Sequence, residues 1–267
     1  MLARMKHLLN ALSAAFPSLA TAQSANFDPD SLVRAEILPG WRTEDGTQMA
    51  ALRLTLAEGW KTYWRAPGDA GIPPRFDLAG SGNIAGLALH WPTPEVFHLS
   101  GMQTIGYTHE LILPMEFTPG DPGAPMTLNA TVDLGVCEQI CVPVTLTLRA
   151  DLHGTTVTPV IQSALASQPH PRSAPTRCTV VPIAGGLRVT AALDLARLGT
   201  TETGVIEVAD PTVWVSEAVT TRSGDTLTLT GDLLPSSPGP FVLDRSGIRL
   251  TILSGAKSVE LTGCPSG

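Results

Sequence analysis

The chain has 267 residues, of which 43% are hydrophobic, and its formal net charge at pH 7 is -7. This composition supplies enough apolar side chains for one large or two ordinary folded domains, and it argues against intrinsic disorder. The negative charge argues against nucleic acid and against an anionic membrane surface as binding partners.

The first 22 residues have the pattern of a secretory signal peptide. Basic residues occur at positions 4 to 7, a short apolar run follows at 8 to 20, and Ala20-Thr21-Ala22 has the small residues of a cleavage site. An apolar N-terminal helix packed into a core is the alternative interpretation. No run in the sequence reaches the roughly 20 apolar residues of a spanning helix, so we expect an exported protein that is not embedded in a membrane.

Short segments of alternating or β-rich residues follow, separated by turn formers such as Asp45-Gly46 and Pro67-Gly68-Asp69. This spacing predicts an antiparallel β-sandwich domain over residues 23–158. Its predicted strands are 32–38, 49–56, 110–117, 126–134 and 144–152.

The stretch GVCEQICVP, residues 135 to 143, places Cys137 and Cys141 three residues apart. A bond that closes so short a loop adds little stability, which favours a reactive redox pair over a stabilising one. Glu138 disfavours a neighbouring thiolate by like-charge repulsion, and no Lys or Arg adjoins the pair in the sequence. We therefore expect a slow thiol that needs a partner to activate it.

Two alternatives to a redox pair stay open at this point. The cysteines can staple a hairpin, or both thiolates can bind a soft metal such as copper together with a histidine or methionine. The residues of the same domain that could complete such a metal site are His90, His98, His109, Met102 and Met115. None of them has a diagnostic spacing, so we assign neither a metal nor another cofactor.

A proline-rich region after residue 158 predicts a domain boundary. Residues 159–168 favour one short helix, and PHPRSAPTR after them favours an irregular linker, which we place at 159–177. A second series of strand patterns predicts another β-sandwich over residues 178–267. Its predicted strands are 186–195, 204–210, 212–219, 225–234, 247–253 and 258–263.

Cys178 opens this second domain and Cys264 nearly ends it. Four cysteines allow three pairings, and the spacing favours a structural Cys178–Cys264 disulfide that closes a long loop. A free thiol at either position is the alternative.

Four segments together resemble a known family: GWKTYWRAPGDAGIPPRFD (59 to 77), LHWPTPEVF (89 to 97), IGYTHELILPMEF (105 to 117) and VCEQICVP (136 to 143). They are similar to the N-terminal periplasmic domain of the thiol:disulfide interchange protein DsbD, in the variant of the suppressor of copper sensitivity protein ScsB. The resemblance covers roughly residues 30 to 153 and is vaguer over the second domain.

The resemblance implies an immunoglobulin-like fold for the first domain of a periplasmic protein. Together with the second series of strands, it predicts an all-β chain of two immunoglobulin-like β-sandwiches in tandem. By position, Cys137 and Cys141 match the family's redox cysteines, which exchange electrons with thioredoxin-like proteins or a membrane electron-conducting protein. The family also implies an aromatic cap over the pair. Residues 97–107 match the cap approximately, with Phe97 and Tyr107 as the shielding residues; a role as core aromatics is the alternative for both.

Overall fold

The computed structural model describes residues 31–99, 101–237 and 242–265. The predicted signal peptide at residues 1–22 lies outside these ranges. The described part of the first half of the chain forms ten strands: β1 (Val33–Arg42), β2 (Gln48–Leu56), β3 (Lys61–Tyr63), β4 (Arg75–Asp77), β5 (Ile84–Leu89), β6 (Glu95–Leu99), β7 (Met102–Thr108), β8 (Glu110–Pro119), β9 (Met126–Cys137) and β10 (Cys141–Leu152).

These ten strands form two sheets that pack face to face. One sheet has the order β1-β2-β8-β5, and the other has the order β10-β9-β3-β7-β6, with β4 also paired to β9. Their apolar faces enclose a core that includes Leu52, Trp64, Phe117 and Val132. The alternation of buried and exposed residues along β9 and β10 shows how the sequence selects this arrangement, since one side of each strand enters the core and the other faces outward.

One helix, α1 (Pro159–Ala166), occurs in the described residues and covers the outer face of the first sheet. Ile161 and Ala164 pack against Met49, Ala51 and Ile112 of β2 and β8. Proline at the first helical position suits the helix start, because its missing N–H would have no intrahelical partner there. Consequently β2 is buried on both faces.

The described residues after α1 form a second sandwich from nine strands. They are β11 (His170–Pro171), β12 (Thr176–Ile183), β13 (Gly186–Asp194), β14 (Thr203–Glu207), β15 (Val213–Val215), β16 (Val219–Ser223), β17 (Thr226–Pro235), β18 (Arg249–Ser254) and β19 (Lys257–Thr262). One sheet has the order β11-β19-β18-β14, and the other has β12-β13-β17-β15, with β16 also on β17.

A disulfide joins Cys178 of β12 to Cys264, which follows β19, and so connects the two sheets of this sandwich. Both cysteines are buried in its core. The Arg245 guanidinium donates hydrogen bonds to the carbonyl oxygens of Cys178 and Cys264, at 2.6 and 3.0 Å. The same junction is therefore held both covalently and by hydrogen bonds.

The region predicted as an irregular linker contains more regular structure than expected. His170 and Pro171 form the short strand β11, parallel to β19, and β12 already begins at Thr176. The proline does not prevent this pairing, because β11 is an edge strand and Pro171 still has a carbonyl group to offer as acceptor. The domain limits at 158 and 178 stay a proposal.

The two sandwiches share apolar contacts. Val205 of β14 and Leu253 of β18 belong to the core cluster of the first sandwich, although both residues lie in the second. The described residues form an almost entirely β structure, so the predicted all-β fold class is confirmed. Among the described residues, no helix is long and apolar enough to cross a membrane.

Candidate functional site

The two closely spaced cysteines face each other across the β9–β10 hairpin. Cys137 is the last residue of β9, Cys141 is the first of β10, and the two are directly paired in the ladder and joined by a disulfide. Residues 138–140 make the turn and are all exposed. The close spacing in sequence thus gives a ladder pair at the open end of a hairpin.

The two cysteines differ in their exposure to solvent. Cys137 is 2% exposed, because β9 is an interior strand with β10 on one side and β3 on the other. Cys141 is exposed, because β10 is the last strand of its sheet. The neighbouring Ile140 is 68% exposed, so an apolar side chain lies at the surface beside the disulfide. An approaching thiol therefore reaches Cys141 and not Cys137.

Tyr63 of β3 contacts both sulfur atoms. Its hydroxyl donates a hydrogen bond to Cys137 Sγ at 2.9 Å and lies 3.1 Å from Cys141 Sγ. The side chain is 2% exposed, and its burial raises the pKa of the phenol, so the hydroxyl keeps its proton at neutral pH. Tyr63 is thus a fixed donor directed at the disulfide.

Two glycines make room for Tyr63. A Cβ on Gly135 of β9 would lie 3.1 Å from the Tyr63 ring and 2.8 Å from Ile72. A Cβ on Gly106 of β7, the ladder partner of Tyr63, would lie 2.0 Å from the carbonyl oxygen of Thr62. Only glycine allows the backbones and the ring to approach this closely. The glycines thereby place the phenol hydroxyl at the sulfur atoms.

Lys61 brings a positive charge to the same face of the sheet. It is the ladder partner of Cys137, so both side chains project from one side of the sheet. Lys61 Nζ donates to Thr104 Oγ1 at 3.2 Å and lies 5.0 Å from the centre of the Phe97 ring. Partial burial lowers the pKa of this ammonium group. Phe97, half-buried, therefore lies on the disulfide face and contacts a neighbour of Cys137.

Tyr107 lies on the opposite face. It pairs with Thr62, one position out of phase with Lys61, and belongs to the core between the two sheets. There it stacks on Trp91 and its hydroxyl donates to the carbonyl oxygen of Pro92 at 2.8 Å. Burial raises the pKa of its phenol well above the ordinary value. In this geometry the aromatic cover of the sulfur atoms comes from Tyr63 and not from Tyr107.

Two of the residues considered as metal ligands have other surroundings in the structure. Met115 is fully buried in the sandwich core, and His90 Nε2 is 2.9 Å from the Glu116 carboxylate. Over residues 31–99, 101–237 and 242–265, no group of three or more His, Cys, Asp and Glu side chains has the arrangement of a metal site. The described structure therefore adds no support for copper binding at the pair.

Sequence reasoning missed Tyr63 and Lys61 as neighbours of the disulfide. The alternation along β3 does place these two residues on one face, opposite Trp60 and Trp64. What the sequence lacks is the register between β3 and β9, which brings together residues 74 positions apart. Gly135, two residues before Cys137, is the one local indication of Tyr63, since a glycine within a strand marks a place where a large side chain from another strand can pack.

Comparisons with known proteins agree with the observed fold. Residues 34–151 match the family model described as thiol:disulfide interchange protein DsbD, N-terminal. A solved structure, the N-terminal periplasmic domain of ScsB from Proteus mirabilis, is similar with a TM-score of 0.61 and 21% sequence identity, covering 88% of this chain and 92% of that one. Among curated proteins, none matches this chain significantly. The structural likeness extends over both sandwiches.

Proposed function

We propose that this chain carries electrons by thiol-disulfide exchange through Cys137 and Cys141, because residues 34–151 match the model of the DsbD N-terminal family. The observation that carries the proposal is the asymmetric disulfide itself, with one exposed cysteine, one buried cysteine and a tyrosine hydroxyl within 3.1 Å of both sulfur atoms. A bond that only stabilises the fold needs neither the exposed cysteine nor the donor.

The first half of the proposed reaction reduces the chain. A thiolate of a dithiol donor attacks Cys141 Sγ, the Cys137–Cys141 bond breaks, and Cys137 leaves with the electron pair and takes up a proton. The second thiolate of the donor then attacks the donor sulfur of the mixed disulfide. The donor is oxidised to a disulfide by two electrons, and Cys141 is released as a thiolate.

The second half passes the electrons on. The Cys141 thiolate attacks an acceptor disulfide, and one acceptor sulfur leaves with the electron pair. Cys137 then gives up its proton and attacks Cys141 Sγ, which restores the internal bond and releases the second acceptor sulfur as a thiolate. Tyr63 assists both halves, because its hydroxyl can donate to whichever sulfur carries negative charge. Because the hydroxyl already lies close to both sulfur atoms, Tyr63 does not have to move between the two halves of the reaction.

The proposed partners are thioredoxin-like proteins or a membrane electron-conducting protein, and the proposed compartment is the periplasm. The family match supports this choice, since the DsbD name describes thiol:disulfide interchange and the similar ScsB domain is described as periplasmic. The exposed Ile140 beside Cys141 gives a partner an apolar contact next to the sulfur it must reach.

The reduction potential of the Cys137–Cys141 pair tests the proposal. We expect a value between about -120 and -270 mV, the range of exchange proteins, measured by thiol labelling in glutathione buffers with Cys178 and Cys264 followed separately. A value below about -300 mV is typical of structural disulfides and would contradict the redox role. The alternative, a copper-handling or other binding module, would then be tested by Cu(I) titration of the reduced chain.

Replacing Tyr63 with phenylalanine removes the hydroxyl and keeps the ring. Because hydrogen bonds to a charged group favour the charged form, the thiolate of Cys141 loses about 1.4 kcal/mol of stabilisation. We expect the pH midpoint of Cys141 alkylation, measured on the reduced chain, to rise by about one unit. The matched control is Tyr107→Phe, which removes a phenol hydroxyl on the core face; an equal shift in that variant would contradict the role of Tyr63.

A further inference from the structure

A network of charged side chains joins the two sandwiches next to the proposed redox site. Arg65 of the first sandwich donates from Nε and Nη2 to the two carboxylate oxygens of Glu207, at 2.8 and 3.0 Å. Its Nη2 also donates to Glu260 at 2.6 Å. Glu207 ends β14 and Glu260 lies in β19, so one guanidinium holds two strands of the second sandwich.

The network is shielded from solvent. The side chains of Arg65 and Glu207 are 18% and 17% exposed, and that of Glu260 is 24% exposed. Arg249 of β18 lies 3.5 Å from Glu260 and supplies a second cation to the two carboxylates. Partly buried charges are costly without partners, so this arrangement favours one relative placement of the strands that carry it.

Arg65 is equally fixed on the side of the first sandwich. Its guanidinium lies 4.3 Å from the centre of the ring of Trp64, which is fully buried in the core. Its charge also acts on the Tyr107 phenol, where it opposes the rise in pKa caused by burial. Arg65 thus connects the core of one sandwich to two strands of the other.

Other contacts hold the same interface on either side of Arg65. The Asp69 carboxylate accepts a hydrogen bond from the backbone N–H of Glu217 at 3.0 Å. The Thr93 hydroxyl shares a short hydrogen bond, 2.5 Å, with the hydroxyl of Ser258 and donates to the carbonyl oxygen of Ser167. The interface therefore limits sliding and rotation of the chain segment that contains Arg65.

This segment is continuous with the strand that holds the redox tyrosine. Arg65 follows Tyr63 by two residues, and β3 is only three residues long. The backbone N–H of Trp64, between them, donates to the carbonyl oxygen of Ile105 at 3.0 Å, so no flexible loop intervenes. A shift of Arg65 would be transmitted directly to the Tyr63 ring between its two glycines.

We infer that Arg65 is a positioning residue, through which Glu207 and Glu260 of the second sandwich fix the Tyr63 hydroxyl at the Cys137–Cys141 disulfide. This inference rests on the proposed redox function and gives the second sandwich a part in it. The second sandwich then acts as a support that adjusts the reactivity of a disulfide it does not touch.

The test compares Arg65→Gln and Glu207→Gln in the full chain. Because a displaced Tyr63 stabilises the reduced pair less, we expect Arg65→Gln to shift the glutathione equilibrium constant of Cys137–Cys141 about tenfold toward the disulfide, and Glu207→Gln to shift it less, since Glu260 still holds Arg65. Arg188→Gln is the control, because Arg188 forms a similar ion pair with Asp232 on the exposed face of the second sandwich.

Making Arg65→Gln in the Tyr63→Phe variant distinguishes an effect on the position of the Tyr63 hydroxyl from a general loss of structure. If Arg65 acts through the tyrosine hydroxyl, Arg65→Gln adds no further shift once that hydroxyl is absent, whereas independent effects would multiply. Glu207→Gln serves as the second variant if Arg65→Gln fails to fold, and an intact Cys178–Cys264 bond verifies folding. An equilibrium constant unchanged from the wild type in both variants overturns the inference.

The outcomes also distinguish this inference from the proposed function. A wild-type pair with the potential of an exchange protein, together with unchanged variants, refutes the role of Arg65 alone. A wild-type pair with the potential of a structural bond refutes the redox function first, and the inference with it. If the effects of Arg65→Gln and Tyr63→Phe on the equilibrium constant multiply in full, Arg65 does not act through Tyr63.

Discussion

Replacing Cys137 with serine is expected to give a chain that forms stable mixed disulfides, whereas replacing Cys141 with serine is expected to give one that does not. In the first variant the exposed Cys141 can still attack, but the resolving thiol is gone. In the second, the remaining thiol is that of Cys137, which is 2% exposed and lies behind Tyr63. Both variants lose turnover, but only Cys137→Ser accumulates the mixed disulfide.

The difference can be measured with a small disulfide before any partner is identified. Reaction of each reduced variant with dithiobis(nitrobenzoate) should be at least about tenfold faster for Cys137→Ser than for Cys141→Ser, because exchange requires access to the thiolate. A purified thioredoxin-like protein then provides the test with a protein disulfide. Equal rates, or faster reaction of Cys141→Ser, would contradict the assignment of Cys141 as the attacking residue.

Removing the second disulfide is expected to cause the largest loss of stability. The double substitution Cys178→Ala and Cys264→Ala opens a loop with a sequence separation of 86 residues, which costs about 4 to 5 kcal/mol in the chain-entropy estimate. Arg245 still donates to both carbonyl oxygens in this variant, since those hydrogen bonds involve backbone atoms. The loss should therefore be large without abolishing the fold.

Urea unfolding followed by tryptophan fluorescence measures this loss, with Cys137→Ala and Cys141→Ala together as the matched control. That pair has a sequence separation of 4, so the same estimate gives about 2 kcal/mol. Similar losses in the two double variants would indicate that the Cys178–Cys264 bond does not constrain the unfolded chain as its long loop implies.

Patterns within single strands allowed most of the fold to be predicted. Alternating residues predicted β9, β10, β13 and β17 within a few positions, because one face of each strand is buried in a sandwich core. The shorter strands β5, β6 and β7 were not predicted. Their burial depends on neighbours that are distant in the sequence.

The candidate site was predicted only where its residues are close in the sequence. Cys137 and Cys141 form a local motif, so their hairpin pairing followed from the spacing. Lys61 is the ladder partner of Cys137 through the register of β3 on β9, whereas GVCEQICVP itself contains no cation. A change of one residue in that register would reverse the faces of Lys61 and Trp64, and no local pattern determines it.

Gly106 and Gly135, which make room for Tyr63, limit the substitutions that this protein tolerates. Added atoms at either glycine would collide with the Thr62 carbonyl or the Tyr63 ring. Alanine, among the smallest of substitutions, is therefore expected to displace the neighbouring backbone or the Tyr63 ring. Variation among natural versions of this chain should consequently be constrained at two positions that take no part in the chemistry.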